Sequence, residues 1–154
     1  PSASSAASDV YKRQEYTINH LLHINSSLSE VYKAIREVSN LKKWYTTDVV
    51  ENSDKTITFK WGEMFLLVKC LETKNEKIRW DFLDSTMPIK SLFMSYELSE
   101  NEGKTRLRFT YGNFSENADF FANQNFSSAK YLESLRQFCQ TGVGEAFGSK
   151  TYRI

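Results

Sequence analysis

A long stretch of the sequence, residues 47–111, alternates apolar and polar side chains with a period of two. The apolar positions fall into runs at 57–61, 64–70, 78–82, 92–98 and 107–111, and short polar segments typical of turns separate them. An alternating run predicts a β-strand with one buried face. Because no helical pattern lies between the runs, we expect consecutive strands to pair antiparallel as a meander.

Residues 16–24, YTINHLLHI, alternate in the same way and predict a first strand. A serine-rich turn follows, in which Ser27 and Glu30 have the spacing of a helix capping box. The apolar residues after this turn recur at helical intervals and predict a helix that ends at about Glu37. A second short helix is predicted from Ser39, as its cap, to Tyr45.

The last part of the chain again has a helical period, beginning at about Glu116. Its apolar stripe consists of Tyr131, Leu132, Leu135, Phe138 and Cys139. Gly142 is placed to end this helix. A glycine-rich tail without a clear period begins at about residue 143.

Residues 1–14, PSASSAASDVYKRQ, show no apolar period and differ in composition from the residues that follow. We interpret them as a non-native or disordered leader and residues 15–154 as a single domain. A chain of 154 residues buries enough surface for one hydrophobic core.

The order of these elements predicts an α+β fold. A curved antiparallel sheet of six to seven strands is expected to wrap around the long C-terminal helix, with two short helices after the first strand. The apolar stripe of the helix is narrow, whereas the sheet presents a wide apolar face. We therefore expect a gap between helix and sheet that forms a cavity.

Aromatic residues make up 14% of the chain, with 11 Phe, 8 Tyr and 3 Trp. Such rings fill solid cores and also line apolar ligand cavities. The net charge of +1 gives no field that would favour nucleic acid, and no apolar run reaches the ~18 residues of a membrane span. Cys70 and Cys139 form no disulfide or zinc pattern, so we expect a reduced, cytoplasmic protein.

The sequence contains no diagnostic catalytic or metal-binding motif. His20 and His23 are three positions apart on a predicted strand, so they face opposite sides and cannot ligate one metal together. The segment GVGEAFG, residues 142–148, follows a helix instead of a strand, which argues against a phosphate-binding loop. We predict no catalytic residue, no metal and no cofactor.

Three segments resemble those of a known family. HINSSLSEVYKAI (23–35) is similar to its first strand end, turn and helix, SNLKKWY (39–45) to its helix end with leucine and tryptophan, and FSSAKYLESLRQFCQTG (126–142) to its closing helix. The chain thus resembles the helix-grip proteins of the START and birch-pollen-allergen (Bet v 1-like, SRPBCC) superfamily. Within it, the chain most resembles the family named after a C-terminal domain of the activator of the Hsp90 ATPase.

The resemblance covers about residues 16–142 and departs from the family in one loop and at two positions. The loop after the first strand is serine-rich, whereas the family commonly has a proline-rich loop there. Tyr45 and Phe126 stand where the family often has tryptophan. The resemblance implies the helix-grip fold and, for function, binding of an apolar molecule or of a partner protein.

In a helix-grip shell the two short helices lie at one end of the groove between sheet and long helix. Trp44 is therefore predicted to form a cavity wall, with Tyr45 nearer the mouth. The other predicted ligand-binding residues are large side chains of the inner sheet face and one of the long helix: Phe59, Trp61, Trp80, Phe82, Met94, Tyr96, Phe109, Tyr111 and Phe138. They predict a protein that binds an apolar or aromatic small molecule without catalysis.

Two alternatives stay open. In the first, the chain is a co-chaperone-like interaction module whose tail, or whose basic outer sheet face with Arg106 and Arg108, contacts a partner protein. In the second, it is a cyclase- or hydrolase-type enzyme that uses His20, Tyr96 or Glu63 as acid or base. The oligomeric state stays open as well.

Overall fold

The computed structural model of the protein describes residues 15–153. Its elements, in chain order, are β1 (Tyr16–Ile24), α1 (Leu28–Arg36), α2 (Val38–Trp44), β2 (Asp48–Glu51), β3 (Thr56–Trp61), β4 (Met64–Thr73), β5 (Lys77–Ser85), β6 (Phe93–Asn101), β7 (Lys104–Phe114) and α3 (Asp119–Thr141). The predicted leader, residues 1–14, lies outside the described residues.

The strands form one seven-stranded antiparallel sheet in the spatial order β1-β7-β6-β5-β4-β3-β2. Strands β2 to β7 are a meander, and β1 is placed at the far edge by pairing with β7. The register sets Trp80 opposite Met94 and Tyr96 opposite Phe109, so large side chains of successive strands gather on one face. The predicted helix-grip α+β fold is confirmed.

The two short helices meet at Glu37. Helix α1 begins as predicted, because the Ser27 hydroxyl accepts a 3.2 Å hydrogen bond from the Glu30 amide. The predicted cap of the second helix, Ser39, is wrong. Glu37 takes this position instead, because its extended backbone lets its carbonyl accept from the amides of Asn40 and Leu41 at 3.0 Å each.

Helix α3 lies over the concave face of the sheet and ends, as predicted, at Gly142. This glycine has a φ of 83°, in the left-handed region that favours glycine, and its amide donates to the carbonyl of Phe138. Two serines, Ser128 and Ser134, are buried on α3 alongside Leu132 and Leu135. In residues 15–153, no helix has the length and apolar character needed to cross a bilayer.

The tail after α3 packs back onto α2 and its connection to β2. The Ser134 hydroxyl donates to the carbonyl of Trp44 at 2.8 Å and accepts from the amide of Glu145 at 2.7 Å. Phe147 then forms a parallel bridge with Thr46. A side chain at Gly144 would place its Cβ 2.6 Å from the carbonyl oxygen of Lys43, so this close approach requires glycine.

Candidate functional site

A cavity of about 310 Å³ lies between α3 and the concave face of the sheet. Its aromatic lining consists of Trp44, Tyr45, Trp61, Tyr96, Phe109, Tyr111, Phe120 and Tyr131. Its aliphatic and thioether lining consists of Met64, Leu66, Met87, Ile89, Met94 and Leu132. Apart from its tyrosines, the polar side chains of the lining come from α3: Asn123, Gln124, Ser127 and Ser128. We call this space the aromatic cavity.

The aromatic cavity opens between the β3–β4 turn and the first half of α3. Met64, from the start of β4, and Asn123, from α3, line it and are themselves exposed, so they mark its mouth. Trp44, Tyr96 and Phe109 are almost fully buried and mark its floor. A ligand entering at Met64 would therefore pass from a thioether rim to an aromatic interior.

The structure places seven of the eleven predicted binding residues in the lining: Trp44, Tyr45, Trp61, Met94, Tyr96, Phe109 and Tyr111. The other four lie outside it: Phe59, Trp80, Phe82 and Phe138. Phe59 and Trp80 lie beneath the Tyr45 ring, whose centroid is 5.2 and 5.7 Å from theirs. The ring centroids of Phe82 and Tyr111 are 5.6 Å apart. Phe138 lies beyond Leu132, which is the last residue of α3 that lines the cavity.

The two large rings that follow the charged end of α2, Trp44 and Tyr45, both pack into the interior of the protein. The Trp44 indole N–H donates a 2.8 Å hydrogen bond to the carbonyl of Ala34, and the side chain is fully buried. The Tyr45 ring is the centre of an aromatic cluster that also contains Trp44, Phe59, Trp61, Trp80 and Tyr131. Edge-to-face and tilted contacts are arrangements that aromatic rings prefer, so the cluster packs this end of the cavity closely.

Four phenolic hydroxyls belong to the lining. The Tyr111 hydroxyl donates to Gln124 Oε1 at 3.0 Å, and the Tyr45 hydroxyl makes only a weak 3.9 Å contact with the sulfur of Met94. Burial raises the pKa of all four tyrosines, Tyr45, Tyr96, Tyr111 and Tyr131, above the ordinary phenol value. All four therefore keep their protons at neutral pH and can donate hydrogen bonds, as Tyr111 already does to Gln124.

The α3 lining was missed by the sequence reasoning, although a signal for it exists. Its residues recur at helical spacing on one face: Phe120, Asn123, Gln124, Ser127, Ser128 and Tyr131. Because most of them are small or polar, the pattern resembles a solvated face. Short side chains on the face that meets the sheet are what leave the volume of the cavity open.

The remaining candidate groups lie elsewhere. His20 Nε2 is 2.9 Å from Asn125 Oδ1, which ties β1 to α3 outside the cavity, and His23 is exposed. Glu63 is exposed in the β3–β4 turn. Arg106 and Arg108 lie exposed on the outer sheet face, where β6 places Glu97 opposite Arg108. Among residues 15–153, no cluster of side chains could hold a metal ion.

A curved antiparallel sheet closed by one long helix over an aromatic cavity defines a helix-grip protein of the Bet v 1-like (SRPBCC) class. The chain is 30% identical in sequence to the Aha1 protein of Colwellia psychrerythraea, over 84% of this chain and 99% of that one, with a TM-score of 0.76. The chain therefore belongs to the Aha1 (activator of Hsp90 ATPase homologue) family.

More distant structures share the fold alone. DynU16, a protein of the dynemicin biosynthetic locus, is 12% identical with a TM-score of 0.68, over 83% of this chain and 48% of that one. A protein from Staphylococcus saprophyticus is 16% identical with a TM-score of 0.68, over 84% and 95%. No protein-family model matches the sequence, and neither does any curated protein.

Proposed function

We propose that the protein binds an apolar or aromatic small molecule in the aromatic cavity. The observation that carries the proposal is a cavity of about 310 Å³ walled by eight aromatic side chains. Ligand pockets are typically about 300–1,000 Å³, and an apolar cavity of about 150 Å³ is large enough for benzene. The aromatic cavity therefore suits a compound of two or three fused rings.

The lining supports binding by contact area and ring stacking. The aromatic side chains present flat faces and edges, which favour an aromatic guest. Met64, Met87 and Met94 supply flexible thioethers that adapt to irregular shapes. The polar groups on α3 are few, which fits a pocket in which apolar contact gives affinity and a few hydrogen bonds give orientation.

A cavity-filling variant tests the proposal. Ser127 lines the cavity, and Ala129, two residues further along α3, is exposed and does not. Ser127→Phe should fill the cavity and abolish saturable binding of the neutral dye N-phenyl-1-naphthylamine, measured by its fluorescence increase and by tryptophan quenching. Ala129→Phe adds the same ring on the solvent side and should bind the dye as the wild type does. A wild-type protein that shows no saturable binding contradicts the proposal.

We also propose a cytoplasmic setting, in which thiols stay reduced. Cys70 and Cys139 are both free cysteines. Burial raises the pKa of Cys70 from 9.0 to about 11 and that of Cys139 to about 12. Protonated thiols are poor nucleophiles, so neither cysteine is poised for redox chemistry. Localisation of a tagged chain by cell fractionation tests this setting, and recovery in a secreted fraction would contradict it.

A second candidate function is protein association through the outer face of the sheet. The related Colwellia Aha1 protein is a dimer in solution. In this chain the outer face exposes Leu21, Leu71 and Leu83 between charged residues such as Arg106 and Arg108. Sedimentation over a range of concentrations should then show a dimer that Leu71→Lys weakens, and a monomer at every concentration would contradict self-association.

The enzymatic alternative has less support from the geometry. Of the three side chains named as acid or base, His20, Tyr96 and Glu63, only Tyr96 lines the aromatic cavity. Its raised pKa makes this phenol a poor base at neutral pH. The hydroxyl has a clearer use as a hydrogen-bond donor to a bound molecule.

A further inference from the structure

The Tyr96 hydroxyl is a hydrogen-bond donor without a partner at the floor of the aromatic cavity. The side chain is 98% buried, since its exposed fraction is 2%, and its ring lines the cavity. Among residues 15–153, no hydrogen bond to this hydroxyl is formed. A buried hydroxyl that makes no hydrogen bond costs free energy of folding, so its presence in an apolar floor requires a reason.

The hydroxyl faces the open space of the cavity. Among the described residues, Trp80 Nε1 is the buried polar side-chain atom that is sealed from water and has no partner. The Tyr96 oxygen is not sealed in this way, although its residue is equally deep, so it is reached from the cavity.

Gln124 supplies a second donor on the opposite wall. Its side-chain oxygen accepts the hydrogen bond of Tyr111, and the carboxamide lines the cavity from α3. The carboxamide N–H groups make no hydrogen bond to any residue within 15–153. The cavity thus offers hydrogen-bond donors from the sheet side and from the helix side. A ligand that satisfies these donors must carry a hydrogen-bond acceptor.

The charge of the lining decides which acceptor fits. The cavity-lining residues among 15–153 include no Lys, Arg or His. A carboxylate or phosphate in such an enclosure would lose hydration without gaining a countercharge. A neutral oxygen, such as that of a ketone, ester or amide, accepts from both donors at a far smaller desolvation cost.

We propose that the ligand is a neutral aromatic compound with a carbonyl oxygen that accepts a hydrogen bond from the Tyr96 hydroxyl. This inference rests on the proposed function, because it specifies the compound that the aromatic cavity holds. The apolar rings of the ligand contact Trp61, Phe109 and the methionines, and its carbonyl lies toward Tyr96 and Gln124.

Three naphthalene probes of similar shape test the inference. Dissociation constants are measured for naphthalene, for its neutral ketone 2-acetylnaphthalene and for the anion 2-naphthoate at neutral pH. One net hydrogen bond should make the ketone about 3- to 10-fold tighter than naphthalene in the wild type. The naphthoate should bind more weakly than either neutral probe.

The variant Tyr96→Phe keeps the ring and removes the hydroxyl. It should bring the ketone and naphthalene to about equal affinity. Tyr32→Phe is the matched control, because Tyr32 is buried but outside the cavity lining, and it should keep the preference for the ketone. Thermal unfolding of both variants checks that each is folded.

The outcomes separate the two proposals. If naphthalene binds but the wild type shows no preference for the ketone, the carbonyl inference is wrong and the proposed function stands. A preference that survives Tyr96→Phe, or tighter binding of the naphthoate, also overturns the inference. If no probe binds to the wild type, the proposed function fails together with it. The wild-type ratio needs no variant, so the absence of a ketone preference overturns the inference even if Tyr96→Phe does not fold.

Discussion

The indole N–H of Trp44 donates a 2.8 Å hydrogen bond to the backbone carbonyl of Ala34 in the preceding helix. This bond spans the bend at Glu37 and holds α1 against α2. Trp44 also lines the aromatic cavity and makes a tilted ring contact with Tyr45, whose ring centroid lies 5.1 Å away. The bend between two short helices is thereby coupled to the wall of the candidate site.

Trp44→Phe should destabilise the protein by about 2–3 kcal/mol, because the change removes ring volume from a buried site and leaves the Ala34 carbonyl without its donor. Urea unfolding followed by far-UV circular dichroism measures the loss. Trp61→Phe is the control, since Trp61 is only half-buried, and its effect should be clearly smaller. Equal losses for the two variants would contradict the anchoring role.

The sheet could be predicted from the sequence because its side chains report its geometry directly. The alternation around Phe59, Trp80 and Tyr96 specifies both the strands and the face that turns inward, and the short polar segments specify antiparallel neighbours. The Ser27 cap and the Gly142 stop were equally local signals. The cap of the second helix lies at Glu37, two residues before the predicted Ser39, because a cap made by the backbone alone has no side-chain signature.

The cavity lining was harder to predict, because periodicity identifies a face but not the depth of each residue beneath it. Phe59 and Trp80 turn inward as expected, yet the Tyr45 ring covers them through contacts between distant parts of the chain. Gln124 and Ser128 were overlooked since polar residues on a helix usually face water. Their position over the sheet depends on how α3 is rotated, and tertiary packing fixes that rotation.

Ser134→Ala should destabilise the protein by about 1–3 kcal/mol and loosen the tail. The hydroxyl is the shared partner of the Trp44 carbonyl and the Glu145 amide, and both of these groups are left without a bond when it is removed. Hydrogen exchange at the Glu145 amide should accelerate more than the global loss of stability explains. The exposed Ser99 provides the control, because Ser99→Ala should change neither quantity. Unchanged exchange at Glu145 would show that other contacts hold the tail.

Stability should fall as the pH rises from 8 to 10 under reducing conditions. In the folded state burial raises the pKa of Cys70 to about 11 and of Cys139 to about 12, whereas both thiols ionise near 9.0 when unfolded. The unfolded state therefore releases protons first, and each thiol should remove on the order of 1 kcal/mol by pH 10. The stabilisation is complete below pH 9 and declines as the pH rises toward the folded-state values. In the double variant Cys70→Ala/Cys139→Ala, the free energy of unfolding should fall less steeply between pH 8 and 10. An unchanged dependence on pH would contradict the prediction.

Tyr96→Phe should stabilise the empty protein by about 1 kcal/mol. The substitution removes a hydroxyl that makes no hydrogen bond within residues 15–153 and lies in an apolar floor, so the folded state no longer carries the cost of its partial desolvation. Tyr111→Phe is the matched comparison, because it removes a hydroxyl bonded to Gln124 at 3.0 Å and should destabilise by about 0.5–1.5 kcal/mol. Urea unfolding of both variants without any probe measures whether each substitution raises or lowers the free energy of unfolding. If Tyr96→Phe destabilised the protein as Tyr111→Phe does, the Tyr96 hydroxyl would already have a hydrogen-bond partner in the protein or in water. It would then not be a free donor for a ligand.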